Sequence, residues 1–383
     1  MTLAVNKARL VGPALEQALA SKLQELLGGI SWLHHWRIDH LPRKKAGPGF
    51  DLWARVPVPG GRVTLYVQCK SEMRPGGFHA LAERKLPPST PGRVAVPVLA
   101  MPFVSPRLGD LCVQHGWSWY DLAGNCRIEA PGAFYLERRG LEPMHRLPRP
   151  KANLSTPEAG RVIRALLAPE NSCRRWTQRD MEAHFGQLPK PIPEPSLGLV
   201  NKVVQHLRDE AFIEALPEGG FGLRDPLKLL FAWRDAYRFD RHERRGYFTL
   251  LRETQLRKAL YKLDLVAGGF AAYAAFSAAD LQAPHVRQPK TWLYVRRDFA
   301  AHFEGLTEAK MVDSGENMVV LIPDDDGVFY LGEGGFVGEH RMPCTNPVQT
   351  YVDLFHCGGR GQEAAEALLE QRLKPEWKRA GLL

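Results

Sequence analysis

Two groups of polar residues have the types and spacing to act on a polyanion. The first is Asp51 with Gln68 and Lys70. A carboxylate and a neighbouring side-chain oxygen can hold a hard cation such as Mg2+, and an ammonium beside them can stabilise charge on an attacked phosphate. Asp51 and Gln68 are the candidate metal ligands, and Lys70 is the candidate catalytic cation. Glu16 is the candidate extra carboxylate, ahead of Glu25. Gln68 and Lys70 lie two apart, so on a strand both side chains point to one face. The opposing reading is an amphipathic hairpin whose Asp, Gln and Lys are exposed by chance. The second group is Asn201, Lys202, Gln205 and Arg208. Asn and Gln pair bidentately with adenine edges, while Arg and Lys suit guanine or phosphate.

Each group needs a scaffold. Leu15, Leu19, Leu23, Leu26 and Leu27 recur at helical spacing over residues 13–28, with Gly28-Gly29 as the stop. Residues 50–58 and 62–70 read as a hairpin joined by Pro59-Gly60-Gly61. Strand-like runs at 94–100, 117–121, 126–129 and 133–137, with a helix at 106–115, complete an α/β domain. In residues 119–127, Gly124-Asn125 is a turn dipeptide, and Asp121 is placed to bond the turn's backbone rather than to form a binding surface.

The polar face at 201–208 falls on the third of three short amphipathic patterns, at 161–167, 177–185 and 196–208. On the third, Val200, Val203, Val204 and Leu207 define the buried stripe. Thr177 opens the second pattern with Asp180 at the capping-box position, and Ser196 opens the third behind Pro195. Residues 212–216 and 221–224 then read as strands around Gly219-Gly220. Three helices and a Gly-turn hairpin are the order of a winged helix-turn-helix, whose third helix enters the major groove. Arg174, Arg175, Thr177, Gln178 and Arg179 cluster where phosphates would meet the second helix, and Arg224 follows the hairpin. Ser196, at the start of the third helix, joins this DNA-binding set. The same face would also suit protein contacts. A long Pro-rich turn, residues 187–195, sets Lys190 between the second and third helices.

Charge agrees with a polyanionic partner. The net charge is +9; residues 1–150 carry +9, residues 151–247 carry +3 and residues 248–383 carry −3. No run is long and apolar enough to span a membrane, and residues 1–7 lack a secretory apolar core. Six scattered cysteines without a C-x-x-C argue against structural zinc or a disulfide framework and fit a cytoplasmic protein.

Beyond an amphipathic helix at 225–237, residues 268–275 read as a small-residue helix and 291–296 as a strand. Residues 318–322 and 328–331 read as two strands around the acidic turn 324–327. That turn reads as a solvated hairpin loop in preference to a cation site. Gly358-Gly-Arg-Gly361 precedes a helix but lacks a Walker lysine.

Asp51 with Gln68-x-Lys70 resembles the restriction-endonuclease-like core, with Gln68 in place of the usual carboxylate, and Tyr120-Asp-Leu-Ala-Gly-Asn125 is similar to larger AbiEi-type antitoxins that carry such a domain ahead of the winged helix. The longer chain resembles the AbiEi-type antitoxins of type IV toxin–antitoxin (abortive infection, phage defence) systems. That likeness is carried by Ser196-Leu-Gly-Leu-Val-Asn-Lys-Val-Val-Gln-His-Leu207, Leu229-Leu-Phe-Ala-Trp233 and Gly268-Gly-Phe-Ala-Ala-Tyr-Ala-Ala275. Asn317-Met-Val-Val-Leu-Ile322, Pro347-Val-Gln-Thr-Tyr-Val-Asp-Leu354 and Gly359-Arg-Gly-Gln-Glu-Ala-Ala365 extend it. The resemblance implies an α/β and α+β multidomain protein: a restriction-endonuclease-like domain at 1–148, a winged helix-turn-helix at 153–238 and an antitoxin domain at 239–383. It implies repression of its own promoter on double-stranded DNA, with no cofactor needed, and opposition to a nucleotidyltransferase-like toxin without a stable complex. A homodimer is left open. The alternative is a Mg2+-dependent nuclease of the PD-(D/E)xK type, targeted by the winged helix.

Overall fold

The leucine stripe of residues 13–28 forms helix α1 (Gly12–Gly28), with Leu15, Leu19, Leu23, Leu26 and Leu27 all buried. In the computed structural model the described residues are 10–33, 35–40, 49–59, 61–84, 86, 90, 92–143, 152–186, 194–330, 332–337 and 340–383. The chain divides into two units, Met1–Arg149 and Pro150–Leu383.

In the first unit, seven strands lie in one sheet in chain order. They are β1 (Arg37–His40), β2 (Leu52–Val58), β3 (Gly61–Cys69), β4 (Arg93–Met101), β5 (Ser118–Asp121), β6 (Cys126–Ala130) and β7 (Phe134–Arg138). The first three pair antiparallel, β3, β4 and β5 run parallel, and the last three pair antiparallel. Parallel neighbours need crossovers, supplied by α2 (Phe78–Ala82) and α3 (Pro106–Gln114). Alternate residues Leu52, Ala54 and Val56 of β2, and Val63, Leu65 and Val67 of β3, are buried. They share a core with the stripe of α1, and the Tyr120 hydroxyl ties β5 to that helix by donating to the Leu19 carbonyl at 3.0 Å. Asp121 and Asn125 are turn-formers. Asp121 accepts from the amides of Gly124 (3.0 Å), Asn125 (2.9 Å) and Val104 (3.2 Å), and Asn125 brackets the backbone of Leu141.

The second unit begins with α4 (Pro157–Leu167), α5 (Gln178–Gly186), α6 (Leu197–Asp209), strands β8 (Ile213–Ala215) and β9 (Phe221–Leu223), and α7 (Pro226–Ala236). A mixed sheet follows. Its segments are β10 (Glu243–Phe248), α8 (Glu253–Ala267), β11 (Ala271–Tyr273), α9 (Ala275–Gln282), β12 (Thr291–Val295), α10 (Ala300–Thr307), β13 (Lys310–Met311), β14 (Met318–Ile322), β15 (Glu333–Val337) and β16 (His340–Cys344). The strand order is β13-β10-β14-β12-β11-β16-β15. Helices α11 (Pro347–His356), α12 (Gly361–Leu368) and α13 (Lys374–Arg379) close the chain.

Two expected elements differ. Residues 268–275 are not a helix: Gly268, at φ 59°, ends α8 in the left-handed region, and Ala271–Tyr273 pair with β12. Residues 328–330 are not a strand, and Leu331 lies outside the described residues. Asp325 caps a 3-10 turn, Asp326–Phe329, by accepting from the Gly327 amide at 3.1 Å. The acidic turn is not a solvated hairpin loop either, because Asp325 pairs with Arg161 of α4. The Gly358–Gly361 stretch is a tight joint: a Cβ on Gly361 would sit 2.1 Å from the Leu354 carbonyl oxygen, and Arg360 pairs with Glu363.

One hydrophobic core runs from α4, α6 and α7 into the mixed sheet and the final helices. Helix α4 is buried on every side, its arginines included. The Trp377 indole donates to the Leu167 carbonyl at 3.1 Å, and Arg164 donates to Gln349 at 2.6 Å. Gln349 passes the network to Asp353, which also accepts from the hydroxyls of Tyr237 and Tyr294, both at 3.0 Å. Burial outweighs these bonds and pushes the Asp353 carboxyl up to about 7. His242 accepts at Nδ1 from the Asp324 amide and meets the Tyr237 hydroxyl through Nε2 at 2.7 Å. Burial, with Arg164 nearby, lowers its pKa to about 4.

Candidate nucleic-acid interface

The α6 surface is divided by its apolar spacing. Val200, Val203, Val204 and Leu207 are buried, as is His206, while Lys202, Gln205 and Arg208 are exposed and Asn201 is half-buried. Helix α5 packs beside it and begins with the expected box. Thr177 accepts from the Asp180 amide at 3.1 Å, and Asp180 accepts from the Thr177 amide at 3.0 Å.

The short antiparallel pair β8–β9 is extended by a bridge that sequence patterns did not indicate. Trp176 and Phe221 exchange both backbone hydrogen bonds, at 2.9 and 2.8 Å. Gly220 makes this possible: its φ is 78°, and a Cβ there would lie 2.5 Å from the Trp176 carbonyl oxygen. The bridge fixes the segment carrying Arg174 and Arg175 against the hairpin.

The candidate contact residues sort by what already engages them. Arg179, Lys202 and Arg208 are exposed and have no ion-pair partner among the described residues. Arg174 stacks over the Trp176 ring, 3.9 Å from its centroid, with its charge toward solvent. Arg175 is partly spent on the hairpin, donating to the Glu218 carbonyl at 3.0 Å with the Glu218 carboxylate at 3.7 Å. Arg224 stands 3.9 Å from Glu214. Asn201 accepts through Oδ1 from both Gln178 (2.9 Å) and Gln205 (3.1 Å), so its oxygen links α5 to α6.

Ser196 occupies the N-cap position of α6 but makes no side-chain cap bond. The Leu197 amide is instead capped by Glu182 of α5, at 3.0 Å. A carboxylate at this helix N-terminus satisfies the dipole that would otherwise favour an external anion. Lys190 and residues 187–193 of the Pro-rich turn lie outside the described residues.

In the first unit, Asp51 and Gln68 meet at the ends of β2 and β3. Asp51 accepts from the Cys69 amide at 2.7 Å and from Gln68 Nε2. Burial raises the Asp51 carboxyl above its ordinary range; the Cys69 amide opposes this, Glu16 adds to it, and Lys70 and Arg84 also oppose it. Glu16, Lys70 and Asp51 thus share one electrostatic neighbourhood. Glu25 is exposed on α1 and pairs with Lys22 at 2.6 Å.

Arg84, which sequence reading did not single out, sets the geometry of this cluster. It donates to the Gly49 carbonyl and to Gln68 Oε1. A guanidinium can only donate, so Gln68 must turn its oxygen to Arg84 and its N–H to Asp51. The amide therefore presents hydrogen where a shared cation would need oxygen. Among the described residues no three His, Cys, Asp or Glu side chains are placed to hold a metal. Mg2+ does not fit this donor set as arranged.

Among the described residues no helix is long and apolar enough to cross a membrane. No curated protein and no solved structure matches the chain. Residues 223–374, from the end of β9 to the start of α13, match the model of a family described as transcriptional regulator, AbiEi antitoxin, type IV TA system, and over that segment the chain is similar to that family.

Proposed function

We propose that the protein is a sequence-specific DNA-binding regulator of the type IV antitoxin kind. In this reading residues 153–238 form a winged helix-turn-helix that represses the protein's own promoter. The C-terminal α/β part opposes a nucleotidyltransferase-like toxin without forming a stable complex. The observation that carries it is the solvent face of α5 and α6: Arg179 on α5, and Lys202, Gln205 and Arg208 on α6, are exposed, and the three cations have no ion-pair partner among the described residues. The family match supplies the regulatory and antitoxin context. Arg174, on its indole platform, suits a flanking phosphate. Replacing Lys202 and Gln205 together by Ala should remove specific binding to the upstream promoter in a gel shift, with roughly 1–3 kcal/mol of discrimination lost per base contact. Unchanged binding would overturn the reading.

A second reading, a Mg2+-dependent endonuclease of the PD-(D/E)xK type, draws on Asp51, Glu16 and Lys70 sharing one neighbourhood. It requires the Gln68 amide to turn over and Arg84 to leave it. Cleavage of supercoiled DNA that disappears in both Asp51→Ala and Lys70→Ala would favour it; cleavage surviving both would remove it.

A further inference from the structure

A cavity of about 490 Å3 opens between α8 and α9, at one end of β11, β12 and β14. Small-ligand sites commonly enclose roughly 300–1,000 Å3. Leu251, Leu256, Leu281, Pro289 and Met318 give it apolar walls. Part of the frame is already braced. Ser277 accepts from the Trp292 amide at 2.8 Å, and Asn317 bonds both backbone groups of Thr249, at 3.0 and 2.8 Å.

The ionisable groups facing the cavity are not braced. Arg252 and Arg257, on the α8 side, and Asp280, on α9, have no ion-pair partner among the described residues. The neighbouring Lys290, beside the lining residues Pro289 and Thr291, is paired with Glu316 at 2.6 Å. Tyr273 lines the same space, and its hydroxyl has no hydrogen-bond partner among the described residues. Two guanidiniums offer forked donors to a phosphate, sulfonate or carboxylate. The apolar walls suit a flat ring, and Asp280 with Tyr273 can take an N–H donor on it.

We propose that this cavity binds a small organic anion with a flat apolar body, clamped by Arg252 and Arg257. The site lies inside the family-matched segment but does not depend on the DNA-binding reading.

The probe is 8-anilinonaphthalene-1-sulfonate, which carries a sulfonate, fused rings and an N–H. Its fluorescence is titrated with the full chain and with the Arg252→Gln/Arg257→Gln variant. Both arginines are exposed, so folding should survive; matching circular dichroism and Tm check this. Saturable one-site binding, weakened about tenfold or more in the variant, is expected. Binding that does not saturate, or that the variant leaves unchanged, overturns the proposal. Adenosine 5′-monophosphate and indole-3-acetate then compete at millimolar concentration. Displacement by the first alone identifies a phosphate ligand, and by the second alone a carboxylate; displacement by both leaves the site a general anion clamp. Displacement by neither also overturns the proposal.

Discussion

Asn201 changes meaning once its partners are known. Its residue type suggests an adenine reader, yet its oxygen already accepts two amide N–H groups. Its work is to orient Gln178 and Gln205, leaving Lys202 and Arg208 as uncommitted donors. On the proposed DNA-binding reading, Asn201→Ala should therefore blur base preference more than it lowers affinity. Lys202→Ala should weaken binding evenly across sequences and reduce the salt slope by about 1. Anisotropy titrations on operator and scrambled duplexes over a salt series separate the two.

Asp353 and His242 make a second prediction at this scale. The folded state raises Asp353 from 3.8 to about 7. Between those values the native state holds the extra proton, so stability falls as pH rises. His242 is lowered from 6.5 to about 4. There the unfolded state holds the extra proton, so stability rises with pH. The two slopes oppose each other across their overlap. Relative to wild type, Asp353→Asn should lose stability on acidification from pH 6.5 to 4, and His242→Gln on alkalinisation from 4 to 7. Each slope approaches roughly 1.4 kcal/mol per pH unit. Urea unfolding at stepped pH measures both, and parallel profiles for the two variants would contradict the pairing.

At the scale of elements, much of the architecture could be read from periodicity. The leucine spacing of α1, the alternation in β2 and β3 and the valine stripe of α6 each gave the correct element and buried face. Alanine-rich residues 271–275 carry no periodicity, and pairing with β12 and β16 makes their first part a strand. The Glu182 cap and the Trp176–Phe221 bridge join residues 15 and 45 positions apart, beyond the reach of local patterns. In the Asp51 cluster the sequence pointed to Asp51, Gln68, Lys70 and Glu16. It could not reveal Arg84, which arrives from the crossover and decides which way the Gln68 amide faces.

Gly219 and Gly220 give an element-scale test. Both have positive φ, but only Gly220 has backbone in the path of a Cβ. Gly220→Ala should cost about 1–3 kcal/mol by straining the turn and parting the bridge. Gly219→Ala meets nothing within 4 Å and should cost less. Thermal unfolding ranks the pair; equal losses would mean the bridge contributes nothing.

For the whole molecule, charge and core are distributed differently. Residues 1–150 hold a net +9, yet this unit has its own core. If it adds nonspecific attraction to DNA, removing residues 1–149 should flatten the dependence of affinity on salt while preserving sequence preference. An unchanged salt slope would show that its charge is a solubility feature only.

Helix α4, buried on all sides, has a consequence for how such proteins diversify. Two arginines on it are completed by groups more than 150 residues away: Arg161 by Asp325, Arg164 by Gln349. The segments before and after residue 238 are therefore not interchangeable cassettes. A chimera joined there inherits a compatibility rule, since a new C-terminal part must bring an acid for Arg161 and an acceptor for Arg164. Without them it buries two unanswered cations, and the recombinant chain fails to fold rather than acquiring a new specificity.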